Sequence, residues 1–290
     1  MELAVSTTIN SLALSSMYIL MALGFAFLFS IMGVLNFAHG AIYMVAGYIC
    51  YEFVTGYGIN QWLSLILTTI VVGALGLVVE KLAFRPFFGD TDRTIIVCIA
   101  IILILETTVN VTVGVYVRSL PSFAPGILGS GFFSISKERL VTLLVGGVLL
   151  AATLWFINAT KQGQQMQAVA QNLEGAALQG INIGRISALA SFIACSLAAV
   201  AGCLMGAVFN LSPFMGDQML VKAVELVVLG GIGSIGGILF AGLILGGLDS
   251  FLPLVTSGAV SEAIALGVII VILLFRPRGF FGQMEMKERT

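Results

Sequence analysis

The sequence predicts an all-α polytopic membrane protein with about eight membrane segments, one of them a broken, glycine-rich element. Three observations predict it. Of 290 residues, 59% are hydrophobic and only 9% charged, whereas a soluble chain carries about 25% charged residues. The mean hydropathy is +1.10. The apolar residues also gather in runs close to the ~20 residues that cross a bilayer. A large core does not account for the missing charge, because a soluble surface still has to be wetted. Lipid must be the solvent for most of this surface, and in lipid the backbone satisfies its hydrogen bonds within helices. A net charge of −1 argues against a nucleic-acid binder, which needs a basic face.

Apolar runs near 10–32, 34–55, 61–79, 94–117, 140–157, 186–209 and 258–275 each predict a segment. The stretch Met1–Ser16 lacks the basic start of a cleaved signal, so the first run is expected to remain as a helix. Pro121, Pro125 and Gly126 make 118–139 an irregular loop. Lys and Arg favour the cytoplasm. That rule puts Lys81, Arg85, Arg93, Lys161, Arg185, Arg276, Arg278, Lys287 and Arg289 inside, with Arg118, Lys137, Arg139 and Lys222 outside. The N-terminus is outside if 34–55 crosses and inside if it re-enters.

Parity constrains the region 221–256. Residues 185 and 276 share a side, and the spans 186–209 and 258–275 already give an even count. The region between must therefore enter and leave on one side. A short helix near 222–230, a glycine turn and a return helix near 238–254 would do so. Irregular backbone at membrane depth is tolerated only where it is buried in protein or lines a cavity, and transporters build substrate sites at such breaks. Gly231, Gly233, Ser234 and Gly236 are therefore candidate pathway residues. They also fit the pattern GxGxxG, but no strand precedes it and no βαβ unit surrounds it, so it is not a nucleotide fingerprint. The GxxxG patterns Gly202–Gly206 and Gly242–Gly246 let helix backbones approach.

Asn36 and His39 are three apart and share a face if helical. A lone histidine is no metal site, but polar groups at membrane depth are costly and face an interior. With Gly40 they are candidate pathway residues. Glu106, in the middle of 94–117, costs roughly 2.5–3.5 kcal/mol to insert. It needs a proton, water or a partner from another helix, and it too is a pathway candidate, with Asn110 on the same face. Lys222 and Glu225 are spaced to pair locally. Cys50, Cys98, Cys195 and Cys203 all lie in apolar runs and read as small buried hydrophobes. There is no HExxH, GxSxG or Walker motif, so no catalytic residue, metal or cofactor is expected, and any energy for transport comes from a partner or an ion gradient.

The segment 158–185 is modestly polar and rich in small residues. Within it, Glu174-Gly175-Ala176-Ala177-Leu-Gln-Gly180 resembles the Glu-Ala-Ala signature of ABC-importer permeases, with Gly175 in place of the second-position alanine. Gly33-Val-Leu-Asn-Phe-Ala-His-Gly-Ala-Ile-Tyr-Met-Val-Ala-Gly47 resembles the hallmark of the branched-chain amino-acid permeases. Leu229–Gly237, Arg276–Gly282 and Glu80–Pro86 are similar to other segments of that family. Ala41 departs from the Glu that many relatives carry after the His-Gly pair. The resemblance implies one permease domain over 1–290 in a bacterial inner membrane, with Glu174, Gly175, Ala176, Ala177 and Gly180 in a cytoplasmic segment, 165–182, that couples to an ATPase. It also implies a second, similar permease, two cytoplasmic ATP-binding subunits and an external solute-binding protein. The substrate would be a branched-chain or other hydrophobic amino acid. Permeases for urea or short amides share the architecture. A transporter or channel that works alone leaves the signature segment without a reason.

Overall fold

The structure, a computed structural model, describes residues 2–33, 35–88, 90–128 and 135–282. Lys287 and Arg289 lie outside the described residues. Eleven α-helices are present among the described residues: α1 (Glu2–Met32), α2 (His39–Tyr51), α3 (Gln61–Val79), α4 (Thr91–Thr112), α5 (Lys137–Ala159), α6 (Lys161–Gln171), α7 (Leu173–Leu178), α8 (Ile183–Val208), α9 (Met215–Gly230), α10 (Ile235–Phe251) and α11 (Gly258–Phe275). A two-residue antiparallel ladder joins β1 (Ile127–Leu128) and β2 (Ile135–Ser136). Seven helices are long and apolar enough to cross a membrane: α1, α3, α4, α5, α8, α10 and α11. The expectation of about eight segments divides instead into these seven and the two shorter helices α2 and α9.

Many helices start where a side chain takes up a backbone N–H that the helix leaves unpaired. Asn60 accepts from Trp62 N at 3.0 Å, Asp90 from Arg93 N at 3.1 Å and Asn182 from Arg185 N at 3.0 Å. Between caps, apolar content rather than a polar/apolar stripe sets the packing. The central window of α1 is 89% buried and that of α8 67%, whereas α4 and α11 are each 17% buried. So α1 and α8 form the axis of the bundle, and α4, α5 and α11 form its outer wall. The large exposed side chains of that wall, such as Ile104, Val111, Val148 and Leu274, face the lipid that the composition demands.

Small residues bring the axis together. Gly242 and Gly246 of α10 lie against Ile19 and Ser15 of α1, and Gly73 and Gly76 of α3 lie against Phe192 and Cys195 of α8. Any side chain at these positions would collide, which is the close backbone approach that packs membrane helices. The arrangement repeats in inverted sense. Twice a long helix (α1, α8) leads through a non-helical stretch into a short helix (α2, α9), followed by two long ones. The first helix of each set packs on the third of the other.

Contacts fix the direction of every pass. The end of α1 lies beside α6: Phe27, Ser30 and Ile31 share a pocket with Met166 and Gln167. Its start lies by the end of α10, where Asn10 reaches Ser250 at 3.4 Å. The N-terminus is therefore at the end opposite α6. The run expected at 34–55 is helical only from His39, which sits against Gly24 and Phe25. The helix thus starts about 12 Å back along α1 from Met32, at 1.5 Å per residue. The 209–214 stretch does the same at the other end, folding Leu211 onto Gly206 and Gly47.

Candidate functional site

The polar segment 158–185 folds into α6 and α7 and projects from one end of the bundle. Thr160 caps α6 by accepting from Gly163 N at 3.0 Å, and Met166 and Val169 bury its inner face. Asn172 caps α7 by accepting from Gly175 N at 2.8 Å. The far end of α7 closes on Gly180, whose φ is +80°. Gly180 N donates to Ala177 O at 2.9 Å and Ile181 N to Ala176 O at 3.1 Å, the paired bonds of a Schellman turn, which favours glycine at the left-handed position. Of the signature residues only Ala176 is fully buried. Glu174, Ala177 and Gly180 are exposed, and Leu178 is 87% exposed. A rigidly capped turn of helix thus presents an uncovered leucine beside small residues.

Beside it, the Glu80–Pro86 segment ties two helices together. Arg85 donates from Nε to Glu80 Oε1 at 3.1 Å and from a terminal nitrogen to Oε2 at 2.9 Å. The same guanidinium donates to Gly184 O at 2.7 Å, and Ser187 Oγ donates to Glu80 Oε1 at 2.9 Å. The Glu80 side chain is 1% exposed, so these bonds give a buried carboxylate the partners it requires. They link the end of α3 to the start of α8, directly after α7.

The glycine turn lies at this same end and not halfway through the bundle. Gly231 (φ +98°) packs on Arg278 and Gly282. Phe280 N donates to Leu229 O at 2.9 Å and Phe281 N to Gly230 O at 3.0 Å, so the C-terminal segment pairs the last carbonyls of α9. Ser234 caps α10 by accepting from Gly237 N at 3.1 Å. Gly233 (φ +81°) borders the pocket shared with Gln167 and Ala170, and Gly236 has open space around it. The expectation of a helix, a glycine turn and a return helix agrees with α9 and α10, although α9 begins earlier, at Met215. The depth expected for the turn does not agree. The clasp by residues 278–282 holds it at the α6 end.

Asn36 and His39 do not converge. Residue 36 precedes the helix, so the helical spacing does not apply. Asn36 Oδ1 accepts from Cys98 Sγ at 3.6 Å toward α4, whereas the fully buried His39 ring faces Gly24, Phe25 and Ala194 between α1 and α8. No side chain pairs with either ring nitrogen of His39, on which only the Met21 backbone acts, and the Asn36 amide nitrogen has no hydrogen-bond partner. Gly40 meets Gly216 backbone to backbone, so the first turns of α2 and α9 touch inside the bundle. Glu106 is half-buried on α4, with Asp217 as its electrostatic neighbour rather than a base. Asn110 Oδ1 beside it is buried without a partner.

One cluster is larger than its local spacing suggests. Lys222 lies 3.8 Å from Glu225, as the spacing predicts, but its close partner is Asp249 of α10, at 3.1 Å. Asp249 also accepts from Tyr18 Oη of α1 at 2.9 Å. Asp249 and Tyr18 are polar residues inside apolar runs, and the cost of such groups at membrane depth was the signal available to find them.

A helical bundle with polar groups held between its helices, two short helices meeting at their starts within it and a capped segment projecting from one end has the build of a membrane transport permease. The chain belongs to the family described as branched-chain amino acid transport system / permease component, which matches residues 7–273. It is 33% identical to the high-affinity branched-chain amino acid transport system permease protein LivH of Salmonella typhimurium, over 96% of each chain. It is 31% identical to BraD of Pseudomonas aeruginosa, which carries the same description, over 97% of this chain and 96% of that one. At 29% identity it also matches a fructose import permease of Rhizobium meliloti, over 80% of this chain and 67% of that one.

Proposed function

We propose that this chain is a permease subunit of an ATP-driven importer for branched-chain amino acids in a bacterial inner membrane. It would form half of the pathway with a second, similar permease and receive substrate from an external binding protein. It would be worked by two cytoplasmic ATP-binding subunits and have no ATPase or other catalytic site of its own. The observation that carries the reading is the near full-length match to relatives named for branched-chain amino acid transport. On this reading the whole chain acts as one permease domain, the α6 end is cytoplasmic, and Glu174–Gly180 seats in an ATPase groove. Leu178 and the small residues beside it suit close docking. Closure of the ATPases on ATP would push α7, and the Arg85–Gly184 and Glu80–Ser187 bonds would carry the push into α3 and α8. ATP thereby biases a two-state bundle from a distance.

The test is uptake into proteoliposomes holding both permeases, the ATPases and the binding protein, with labelled leucine or labelled urea, with and without internal ATP. Leucine uptake that needs ATP is expected. Urea uptake alone would keep the mechanism and overturn the substrate, and uptake by this chain without partners would overturn the mechanism. Gly180→Trp has room around it but replaces the left-handed glycine at the docking tip. It is expected to abolish uptake with membrane insertion unchanged, and normal uptake would remove the coupling role of α7.

A further inference from the structure

The outer faces of α4 and α9 carry charge at a depth where lipid would lie. At 1.5 Å per residue, Glu106 stands about 22 Å from Thr91 at the start of α4, and Asp217 about 20 Å from Gly230 at the end of α9. Both of those helix ends are on the α6 side of a hydrocarbon layer about 30 Å thick, so both carboxylates fall within it. Asp217 is exposed and Glu106 half-buried, and Asp217 is the charge that acts on Glu106. Neither forms an ion pair among the described residues. The first turn of a helix favours an acid such as Asp217, but Glu106 lies well inside its own helix. On α5 and α11, by contrast, the charged residues stop within the first five positions, and Leu144, Val148, Leu266 and Ile270 face outward beyond them.

Helix geometry gives α4 two distinct sides. At 100° per residue, Glu106 lies about 140–160° round the helix from Val111 and Ile104, which face the lipid. Ile96, Ile99, Leu103, Glu106 and Asn110 instead share one stripe, at the alternating three- and four-residue spacing of a helix–helix seam. Ile96, Ile99 and Leu103 are each at least half exposed, and α4 packs chiefly on α2 and the turn before α4. This chain therefore leaves the seam uncovered. On α9, Phe214, Asp217, Gln218 and Val221 form a second exposed stripe.

We propose that these two stripes face the second permease, and that Glu106 and Asp217 line the water-filled pathway between the two chains. The inference rests on the importer reading above, which supplies the second chain. Lipid accepts carboxylates at this depth only at a large cost, whereas water or a protein partner solvates them. Ile96, Ile99 and Leu103 suit dry contact with a partner helix. The seam turns polar at Glu106, where the lining of the pathway begins. Two carboxylates on one side of a gap draw cations and repel anions, so the lining disfavours a solute with net negative charge.

The experiment uses the complex of both permeases and ATPases in proteoliposomes, with one cysteine added at a time at an exposed position. Gln218→Cys lies beside Asp217, Leu103→Cys lies on the seam, and Ile104→Cys lies on the lipid side of the same helix. Rates with impermeant cationic and anionic methanethiosulfonates, supplied on both sides, are taken relative to a small free thiol. Gln218→Cys is expected to react at least tenfold faster than Ile104→Cys and to favour the cationic reagent at least fivefold. Adding Glu106→Gln should cut that preference at least twofold while the complex still co-purifies. A benzophenone attached at Leu103→Cys should cross-link to the second permease on irradiation, and one at Ile104→Cys should not. Equally slow reaction of Gln218→Cys and Ile104→Cys would overturn the pathway lining, as would a charge preference that Glu106→Gln leaves intact. Capture of lipid alone from Leu103→Cys would overturn the contact. ATP-driven leucine uptake by the unaltered complex tests the importer reading separately, so the two can fail independently.

Discussion

Glu80 and Arg85 set the terms of one local equilibrium at the edge of the membrane. The carboxylate is buried and the guanidinium is 44% exposed, so the two are not equivalent. Removing one partner of a buried pair costs about 3–5 kcal/mol. Solvent access to Arg85 lowers that figure, and Arg85→Gln is expected to destabilise by about 2 kcal/mol. Glu80→Gln, which removes the buried charge itself, should cost less, and the double variant should be more stable than Arg85→Gln alone. Thermal unfolding in detergent, followed by circular dichroism, orders the three. If Arg85→Gln were the mildest, the ion pair would not hold α3 to α8. At this scale the sequence was legible where partners are neighbours, as with Lys222 and Glu225. It was not legible where a partner arrives from a distant helix. Nothing local to Asp249 announces a lysine on α9, and nothing local to Glu80 announces Ser187.

Among elements, α2 and α9 depend on an approach that admits no side chain. A methyl group at Gly40 would strike the Gly216 carbonyl and Leu220, and one at Gly216 would strike Gly40. Overpacking of a filled interior costs about 1–3 kcal/mol. Gly216→Ala is expected to lie in that range by thermal unfolding, with a larger loss for Gly216→Val. Tolerance of valine would mean that the two helices separate freely. Long apolar runs were readable as helices because length and hydropathy alone decide them. The run 34–55 misled because Leu35, Phe37 and Ala38 keep it apolar through residues that are not helical. The conformation there is set by docking onto α1 and by the Gly40–Gly216 contact, both of which are tertiary. For the same reason Asn36 and His39, one helical turn apart on paper, face different neighbours.

At the scale of the whole molecule, alternate passes leave the N-terminus and the α6 segment at opposite ends. The charge rule had no basic residue near the start with which to choose, so only the fold decides. With α6 in the cytoplasm, Thr8→Cys, an exposed position, should react with an impermeant maleimide added to intact cells. Gln171→Cys should react only after the membrane is opened. The four native cysteines are free and buried, so background labelling should be low. Labelling of Gln171→Cys in intact cells would invert the whole assignment. Among the helices of residues 221–256, α10 alone is long and apolar enough to cross, with the shorter α9 leading into it. The parity argument from charge called for these residues to enter and leave on one side. It did not place their turn, because the clasp by residues 278–282 is a contact between segments some fifty residues apart.

The burial of α1 bears on how the protein is made. This helix is synthesised before α8 and α10, yet much of its packing surface is supplied by them, with Ala241, Leu245 and Gly246 of α10 among the buried residues. At about 5–20 residues per second, roughly 10–45 seconds separate the synthesis of Leu23 from that of Leu245. During that interval α1 must wait in lipid or beside the insertion machinery. Its described residues contain no charged side chain after Glu2, which suits a helix that is a lipid-facing intermediate before it becomes a core.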